Sequence, residues 1–322
     1  MLTTGLTPIH PLTLVPNFCV GTNVYLWNEQ QEATVKFLSC DQVVTESACS
    51  QLLCNASQKV YIDETSYASY EFYLLENLNT WMADPRIPTV LKTTIVAEAI
   101  RSRFAQALSQ NTVRGLVESA RECSELLCST KDQIQRNGRN FHRALRHDGS
   151  MATHAVNTAF YVFLIADAQD YSVESTTEFC VGAMLHDIGK LGGIASESDA
   201  AGDTSTSEDW SDPKNQAHPT EGFKHLCREP GIAESQLLMC YQHHEQIDGK
   251  GFPVGLLGDE IHEASRICCV ANRMDGLTSD RPHRRAFTRT AALRILESEK
   301  RTHLDSEVVR CLITKIGHSI AN

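Results

Sequence analysis

The chain carries no excess of positive charge. Its 322 residues include 29 Lys and Arg against 40 Asp and Glu, which gives a formal net charge of −11. A protein that binds a long nucleic-acid duplex neutralises phosphates with many clustered basic side chains, so the sequence argues against such a partner. A small anionic ligand is still allowed, because metal ions and two or three basic residues can hold it in a local pocket.

Long apolar segments are absent as well. No stretch of the sequence is long enough to cross a bilayer. Residues 1–18 have neither the positively charged start nor the continuous apolar segment of a secretory signal. The sequence therefore predicts a cytoplasmic protein with no membrane partner.

The twelve cysteines are scattered and form no paired motif. The adjacent Cys268 and Cys269 have no CxxC partner, which excludes a zinc ribbon on spacing alone. Other cysteines lie beside apolar residues in predicted helices, as small core side chains do. The sequence predicts reduced, buried thiols, and these include Cys123, Cys128, Cys180, Cys227 and Cys240.

The length and the pattern along the chain predict two domains of an α+β protein. Residues 1–84 contain short alternating runs (24–27, 34–38 and a run KVYID) before a helical stretch, which indicates a small α/β domain. Two prolines in the segment 83–88 break the pattern. Residues 85–145 have helical periodicity and are predicted to be a linker that either mediates a homodimer or packs on its own domain. Residues 146–322 are predicted to be all-α.

Histidines in this second region stand next to acidic and basic residues. His186 and Asp187 follow an apolar helical run, and an ionised Asp in such a setting requires a cation or several hydrogen bonds. His154, His218 and the pair at 243–244 also lie near predicted helix ends. One such histidine is more typical of a cap or a core residue, but together they can converge with one carboxylate on two metal ions.

Four motifs in order carry a resemblance to a known family: LHDIGK (185–190), HPTEG (218–222), HHEQIDGKGFP (243–253) and DGLTSDRPHRRA (275–286). Residues 146–290 thereby resemble the HD-GYP domains of the HD phosphohydrolase superfamily. The resemblance implies an HD-type helical bundle that acts in bacterial signal transduction as a cyclic di-GMP phosphodiesterase. The N-terminal region loosely resembles the small variable or sensory domains that precede this module.

The resemblance also implies roles for individual residues. Two divalent ions, iron or manganese, would share a bridging hydroxide. Asp187 would bridge the ions as a catalytic residue, and Lys190 would be catalytic by contacting the scissile phosphate. The implied metal positions are His154, His186, Asp187, His218, His243, His244 and Asn272. The implied substrate contacts, besides Lys190, are Gly251, Phe252, Pro253, Arg281 and Arg285.

The sequence departs from the family pattern at several positions. Asn272 stands where the family has an aspartate ligand, which removes a negative charge, and Asp275 one turn later is a possible substitute. Phe252 replaces a tyrosine. Ser150 replaces a glutamate that binds a third metal in some members, so two ions are expected. The acidic segment 192–212 replaces a family motif and is predicted to be a mobile surface insertion or a lid.

Three functions are compatible with these features. The first is an active cyclic di-GMP phosphodiesterase that retains the imidazole ligands, Asp187 and Lys190. The second, suggested by Asn272, is a catalytically weak signalling protein that binds a cyclic dinucleotide or a partner protein without turnover. The third is an HD-type phosphohydrolase acting on another nucleotide.

Overall fold

A computed structural model describes most of the chain, namely residues 5–28, 30–54, 59–132, 144–147, 149–191, 213–280 and 284–317. The described residues belong to two compact units, of which the first lies within Met1–Ser102 and Asp132–Ala144 and the second within Arg103–Lys131 and Leu145–Asn322. Both units thus include parts of the segment 85–145 that the sequence assigns to a linker. Within the described ranges, no helix is both long enough and apolar enough for a bilayer crossing.

The first unit contains a four-stranded sheet. Its strands are β1 (Leu6–Ile9), β2 (Val24–Asn28), β3 (Ala33–Leu38) and β4 (Val60–Asp63). The strand order is β1-β4-β2-β3 and every neighbouring pair is antiparallel. The three predicted alternating runs form β2, β3 and β4, whereas β1 was not predicted. The unit is therefore an antiparallel α+β arrangement and not the parallel one that the term α/β implies.

Helices complete this unit. They are α1 (Glu46–Cys54), α2 (Tyr67–Ala83) and the first part of α3 (Thr89–Gln110). Helix α2 buries Tyr73 and Trp81, whose rings meet edge to face at 5.1 Å. The Tyr73 hydroxyl accepts from the backbone N–H of Val15 at 3.0 Å and donates to the carbonyl of Thr13 at 2.9 Å. The predicted proline break is confirmed, because α2 ends and α3 begins on either side of it.

The described part of the second unit contains helices and no strand. After the end of α3, its helices are α4 (Val113–Ser129), α5 (Met151–Ala168), α6 (Val173–Leu185), α7 (Pro213–Leu226), α8 (Glu234–Gln242), α9 (Glu263–Thr278), α10 (Arg289–Glu299) and α11 (Ser306–Gly317). A helical bundle was predicted here, and the described residues agree with it.

Helix α5 lies at the centre of the bundle. Residues 152–167 are buried on every side, because α6, α9 and α11 all pack against this helix. Ser150 caps its start by accepting from the N–H of Thr153 at 3.3 Å. At its other end, Asp167 forms ion pairs with Lys131 at 2.8 Å and Lys315 at 2.7 Å. These pairs connect α5 to the segment after α4 and to α11.

The eleven described cysteines are free thiols, as predicted. Those in the helical core are buried, namely Cys123, Cys128, Cys180, Cys240, Cys268 and Cys269. The prediction was wrong for Cys227, which is exposed because α7 ends at Leu226 and the chain turns toward solvent there. Cys19 and Cys40 in the first unit are exposed as well.

Candidate metal centre

Asp187 lies at the middle of a cluster of imidazoles, directly after α6. Its side chain is only 5% exposed. The Nε2 atoms of His154 and His186 lie 3.4 and 3.5 Å from its Oδ2. The Nε2 atoms of His218 and His243 lie 3.2 and 3.3 Å from its Oδ1. Each carboxylate oxygen therefore faces its own pair of imidazoles.

Three of these histidines are oriented by hydrogen bonds at the other ring nitrogen. Nδ1 of His186 lies 2.6 Å from the carbonyl oxygen of Ala183, and Nδ1 of His243 lies 2.8 Å from that of Cys240. Both carbonyls belong to the preceding helical turn. A carbonyl oxygen can only accept, so Nδ1 carries the proton and Nε2 presents a lone pair.

His154 is oriented from another helix. Its Nδ1 lies 2.7 Å from Oδ2 of Asp275 on α9, so its Nε2 also presents a lone pair. The Nε2 atoms of His154 and His186 are 3.1 Å apart, as are those of His218 and His243. The lone pairs of His154 and His186 face each other at this distance, and they repel unless a cation lies near both. The geometry fits metal ligation.

The ligand atoms form two groups. The Oδ1 group consists of Asp187, His218, His243 and His244, and the Oδ2 group consists of Asp187, His154 and His186. Within each group, one potential ligand atom of every residue lies within 4.8 Å of the others. Imidazoles with a carboxylate suit ions such as iron, manganese or zinc better than calcium.

The Oδ1 atom of Asp187 gives an independent test of whether a metal fits. It is buried and, in the part of the chain that the structure describes, has no hydrogen-bond partner of acceptable geometry. A buried carboxylate oxygen without a partner costs a large desolvation free energy, and a cation bound there removes that cost. The residues of the Oδ1 group therefore fit a divalent ion.

Lys190 reaches the same carboxylate from the end of a short 3-10 turn. Its Nζ lies 2.6 Å from Oδ2 of Asp187, and its side chain is 29% exposed. Burial alone would raise the pKa of the Asp187 carboxyl, but the Lys190 ammonium and the nearby imidazoles hold it well below its usual range. The carboxylate is therefore ionised in the folded protein.

Three of the clustered imidazoles are held in their neutral form. Burial lowers the pKa of His186 and of His244 well below the usual value, and lowers the pKa of His243 to about 4. For His154, burial also disfavours the charged form, but hydrogen bonds with Asp187 and Asp275 outweigh it and raise the pKa. Neutral imidazole is the form that binds metals.

Two glycines bring α7 close to Asp187. A Cβ atom on Gly189 would overlap the carbonyl oxygen of His218 and lie 2.6 Å from the backbone nitrogen of Gly222. A Cβ atom on Gly222 would lie 2.6 Å from Sγ of Cys240 on α8. Neither position has room for a side chain, which explains the glycines in the motifs LHDIGK and HPTEG.

The predicted substrate-contacting loop lies beside the Oδ1 group. The ring of Phe252 stacks on His244 at 4.6 Å with an interplanar angle of 17°. Phe252, Gly251 and Pro253 are half-buried. A Cβ atom on Gly251 would overlap the backbone of Glu245, so this loop lies directly on the end of α8.

Glu245 is a supporting residue to which the sequence analysis gave no role. Its buried carboxylate accepts from the backbone N–H groups of Val254 at 2.8 Å, Gly255 at 3.0 Å and Leu256 at 2.9 Å. The signal available in the sequence was an acidic residue directly after two histidines and before a glycine-rich turn. Glu245 thereby fixes the loop to the helix end that carries His243 and His244.

Asp275, the possible substitute for the Asn272 position, makes hydrogen bonds to three other side chains. Its Oδ2 contacts His154, and its Oδ1 accepts from Asn157 Nδ2 at 2.7 Å and from the Ser279 hydroxyl at 3.2 Å. It belongs to neither ligand group and instead orients His154. Asn272 is half-buried one helical turn earlier on α9, on a similar face of the helix.

The structure gives no contact between the proposed centre and the remaining predicted positions that it describes. Arg285 is exposed, whereas the neighbouring Arg284 donates to the carbonyl of Leu277 at 3.2 Å. Arg281 and the acidic segment 192–212, predicted to be an insertion or lid, lie outside the described residues.

Comparisons with known proteins support this architecture. A family model described as HD domain matches residues 121–308. The 3′3′-cGAMP-specific phosphodiesterase 3 of Vibrio cholerae is 34% identical over 50% of this chain and 34% of its own length. A cyclic di-GMP phosphodiesterase of Pseudomonas aeruginosa is 28% identical over 51% of this chain and 39% of its own length. The response regulator RpfG of Xanthomonas campestris is also named a cyclic di-GMP phosphodiesterase. It is 28% identical over 58% of this chain and 50% of its own length.

A solved structure matches over nearly the whole chain. It is Bd1817, an HDG"Y"P protein from Bdellovibrio bacteriovorus, with a TM-score of 0.64 and 18% identity over 95% of this chain and 98% of that one. At this identity the match establishes a shared fold. The chain spans between a third and a half of the three curated relatives' lengths.

Proposed function

The chain belongs to the HD-domain family, and from this premise we propose that it is a metal-dependent phosphodiesterase that hydrolyses cyclic di-GMP. The observation that carries the proposal is the buried Asp187 carboxylate between two pairs of imidazoles. The names of the three relatives support the substrate class, because each is named as a phosphodiesterase of a cyclic dinucleotide.

The proposed metal centre uses the two ligand groups. The Oδ1 group would hold one divalent ion, and the Oδ2 group together with Asn272 would hold a second, with iron or manganese as the ions. When bound, such ions would lower the pKa of a water molecule so that it can attack at neutral pH, and would neutralise the charge that develops on the phosphate. The unpartnered Oδ1 atom of Asp187 supports the fit.

The chain's own residues would bind and orient the substrate. Lys190 is partly exposed and lies next to Asp187, so its ammonium can donate to a non-bridging oxygen of the scissile phosphate. Asp187 would bind both ions and so fix their relative position. The histidines at the helix ends would keep their lone pairs pointing at the two ions. No reorganisation of these side chains is then needed during the reaction.

The loop of Gly251, Phe252 and Pro253 would contact the nucleotide. A phenylalanine ring retains the stacking surface of a tyrosine and lacks its hydroxyl, so base stacking is the interaction it can supply. Its position against His244 supports a contact close to the scissile phosphate. Exposed Arg285, and Arg281 in the same motif, would add contacts to the second phosphate.

A second function is favoured by one observation. Asn272 offers a neutral amide where a negatively charged ligand would bind an ion more tightly. A protein with an incompletely loaded centre would bind a cyclic dinucleotide, or a partner protein, with little turnover. A third candidate is hydrolysis of a different nucleotide.

Hydrolysis assays on the purified full chain separate these functions. Native protein, Asn272→Asp and the inactive control Asp187→Ala are compared with cyclic di-GMP, 3′3′-cGAMP and linear dinucleotides, with manganese or iron added and metal content measured. Hydrolysis of cyclic di-GMP by the native chain supports the first function. Binding without hydrolysis, with activity restored in Asn272→Asp, supports the second. Absence of both binding and hydrolysis of cyclic dinucleotides contradicts both.

A further inference from the structure

The two oxygens of Asp187 have different partners. Oδ2 accepts from the Lys190 ammonium at 2.6 Å. Oδ1 is buried and makes no hydrogen bond of acceptable geometry among the described residues, although the Nε2 atoms of His218 and His243 lie 3.2 and 3.3 Å from it. One side of the carboxylate is therefore already next to a positive charge, and the other side is not.

The two ligand groups are also unequal. The Oδ1 group offers three imidazoles and a carboxylate oxygen, which is a complete four-ligand set. Within the described ranges, the Oδ2 group offers two imidazoles and the oxygen that Lys190 contacts. Asn272 can add only a neutral amide oxygen to this weaker set.

We propose that the centre binds its two ions with unequal affinity: the Oδ1 group takes the first ion, and the second must displace the Lys190 ammonium from Oδ2 of Asp187. The inference deepens the proposed metal-dependent function and rests on it for the presence of metal. It adds a coupling between metal loading and substrate binding, because the displaced ammonium becomes available to a phosphate oxygen.

Competition between the ammonium and the second ion follows from their positions. Both would contact the same oxygen, and like charges at such a separation repel strongly in a buried setting where the effective dielectric constant is low. The Oδ1 group is on the far side of the carboxylate, so the first ion meets less of this repulsion. Metal affinity at the second position is expected to be roughly 10- to 100-fold lower, the range typical of altered supporting contacts in metal sites.

A simpler explanation is that Lys190 and Asp187 form an ordinary pair three residues apart. The chain contains a matched example on α7, where Lys224 contacts Glu221 at 2.8 Å. Both of those side chains are about half exposed, at 56% and 46%, so water screens the pair. The Asp187 side chain is 5% exposed and surrounded by metal-ligand histidines. Lys190 is thus placed where its charge opposes a second ion, and Lys224 is not.

Manganese titration of the metal-stripped full chain tests the proposal without any assay of turnover. Calorimetry gives the affinities, and equilibrium dialysis with metal analysis gives the number of ions bound. We expect one tight site and a second at least about 10-fold weaker in the native chain. Lys190→Met should strengthen the second site by about 10-fold and leave the first unchanged. The matched control Lys224→Met should titrate like the native chain.

Asn272→Asp provides an independent variant, because it adds a charged ligand and keeps Lys190. It should also strengthen only the second site, and the retained tight site reports that either variant is folded. Two equal sites in the native chain, or a second site that neither substitution strengthens, would overturn the proposal. Unequal sites in a fully loaded protein that hydrolyses no cyclic dinucleotide would contradict the proposed function and leave this inference standing.

Discussion

Nδ1 of His154 lies 2.7 Å from Oδ2 of Asp275, a residue 121 positions later in the chain. The contact joins the start of α5 to α9 inside the bundle, where both side chains are buried. It fixes which nitrogen of His154 carries the proton and therefore which one faces Asp187. The orientation of this ligand thus depends on a helix that comes much later in the sequence.

We expect Asp275→Asn to weaken manganese binding by the Oδ2 group about 10- to 100-fold, because His154 loses its charged acceptor. The second, weaker phase of a manganese titration measures this change. Asp259→Asn, at an exposed position outside the centre, is the control and should bind like the native chain. Unchanged affinity in Asp275→Asn would show that His154 needs no support from α9.

Gly189→Ala should destabilise the fold and reduce metal content together. The new methyl group would overlap the carbonyl oxygen of His218, and backbone atoms cannot move aside as a flexible side chain can. Overpacking typically costs about 1–3 kcal/mol of unfolding free energy, and we expect at least that much. Urea unfolding and metal analysis measure both effects. Gly258→Ala is the control, since its methyl would meet Ile247 at an ordinary 3.5 Å. Normal metal content and stability in Gly189→Ala would contradict the close packing of α7.

Glu245→Gln should loosen the loop that carries Phe252. The amide group replaces one accepting oxygen with a donor, which leaves at least one part-buried backbone N–H without its acceptor. The expected loss is about 1–3 kcal/mol of unfolding free energy, together with a higher KM for cyclic di-GMP. Glu260→Gln is the control, because its carboxylate caps only the exposed N–H of Leu257. If Glu245→Gln has the same stability and the same KM as the native chain, the supporting role of Glu245 is contradicted.

Asp167 should make stability depend on pH in the acid range. Burial disfavours its charged form, but ion pairs with Lys131 and Lys315 outweigh this and lower its pKa. A lowered folded-state pKa gives stability that is complete above the ordinary Asp value of about 4 and is lost as pH falls through the lower folded value.

We therefore expect Asp167→Asn to lose about 1–3 kcal/mol of unfolding free energy at pH 7, and the difference from the native chain to shrink below about pH 4. Urea unfolding between pH 7 and pH 3 measures it. Asp170→Asn is the control, because Asp170 is exposed and its positive φ of 56° is one that Asn also tolerates. If the difference in unfolding free energy between the native chain and Asp167→Asn grows as the pH falls, the stabilising role of ionised Asp167 is contradicted.

Local sequence patterns predicted much of the architecture. Alternating residues identified β2, β3 and β4, and the prolines near residue 85 identified the end of α2. The motif-based resemblance to HD-GYP domains is confirmed by the family match and by the related proteins. These features could be predicted because each depends on residues close together in the chain.

Features that depend on distant residues were not predicted. The sequence placed histidines at helix ends but could not tell which oxygen of Asp187 each would face. It offered Asp275 as a possible substitute ligand because Asp275 and Asn272 share a helix face, but it could not reveal the contact with His154, which lies on a distant helix. Strand direction in the sheet and the exposure of Cys227 likewise follow from packing beyond the local sequence.

The residues of the proposed metal centre are far apart in the chain, which has a consequence for protein synthesis. Asp187 leaves the ribosome before His218, His243 and His244, and His154 leaves well before Asp275. Domains generally fold as units once their sequence is available. A nascent chain that ends before α9 would have to bury ionised Asp187 and an unsupported His154 without their partners. The helical unit is thus expected to complete its fold only after translation has passed Asp275, and the proposed metal centre is expected to form no earlier than that.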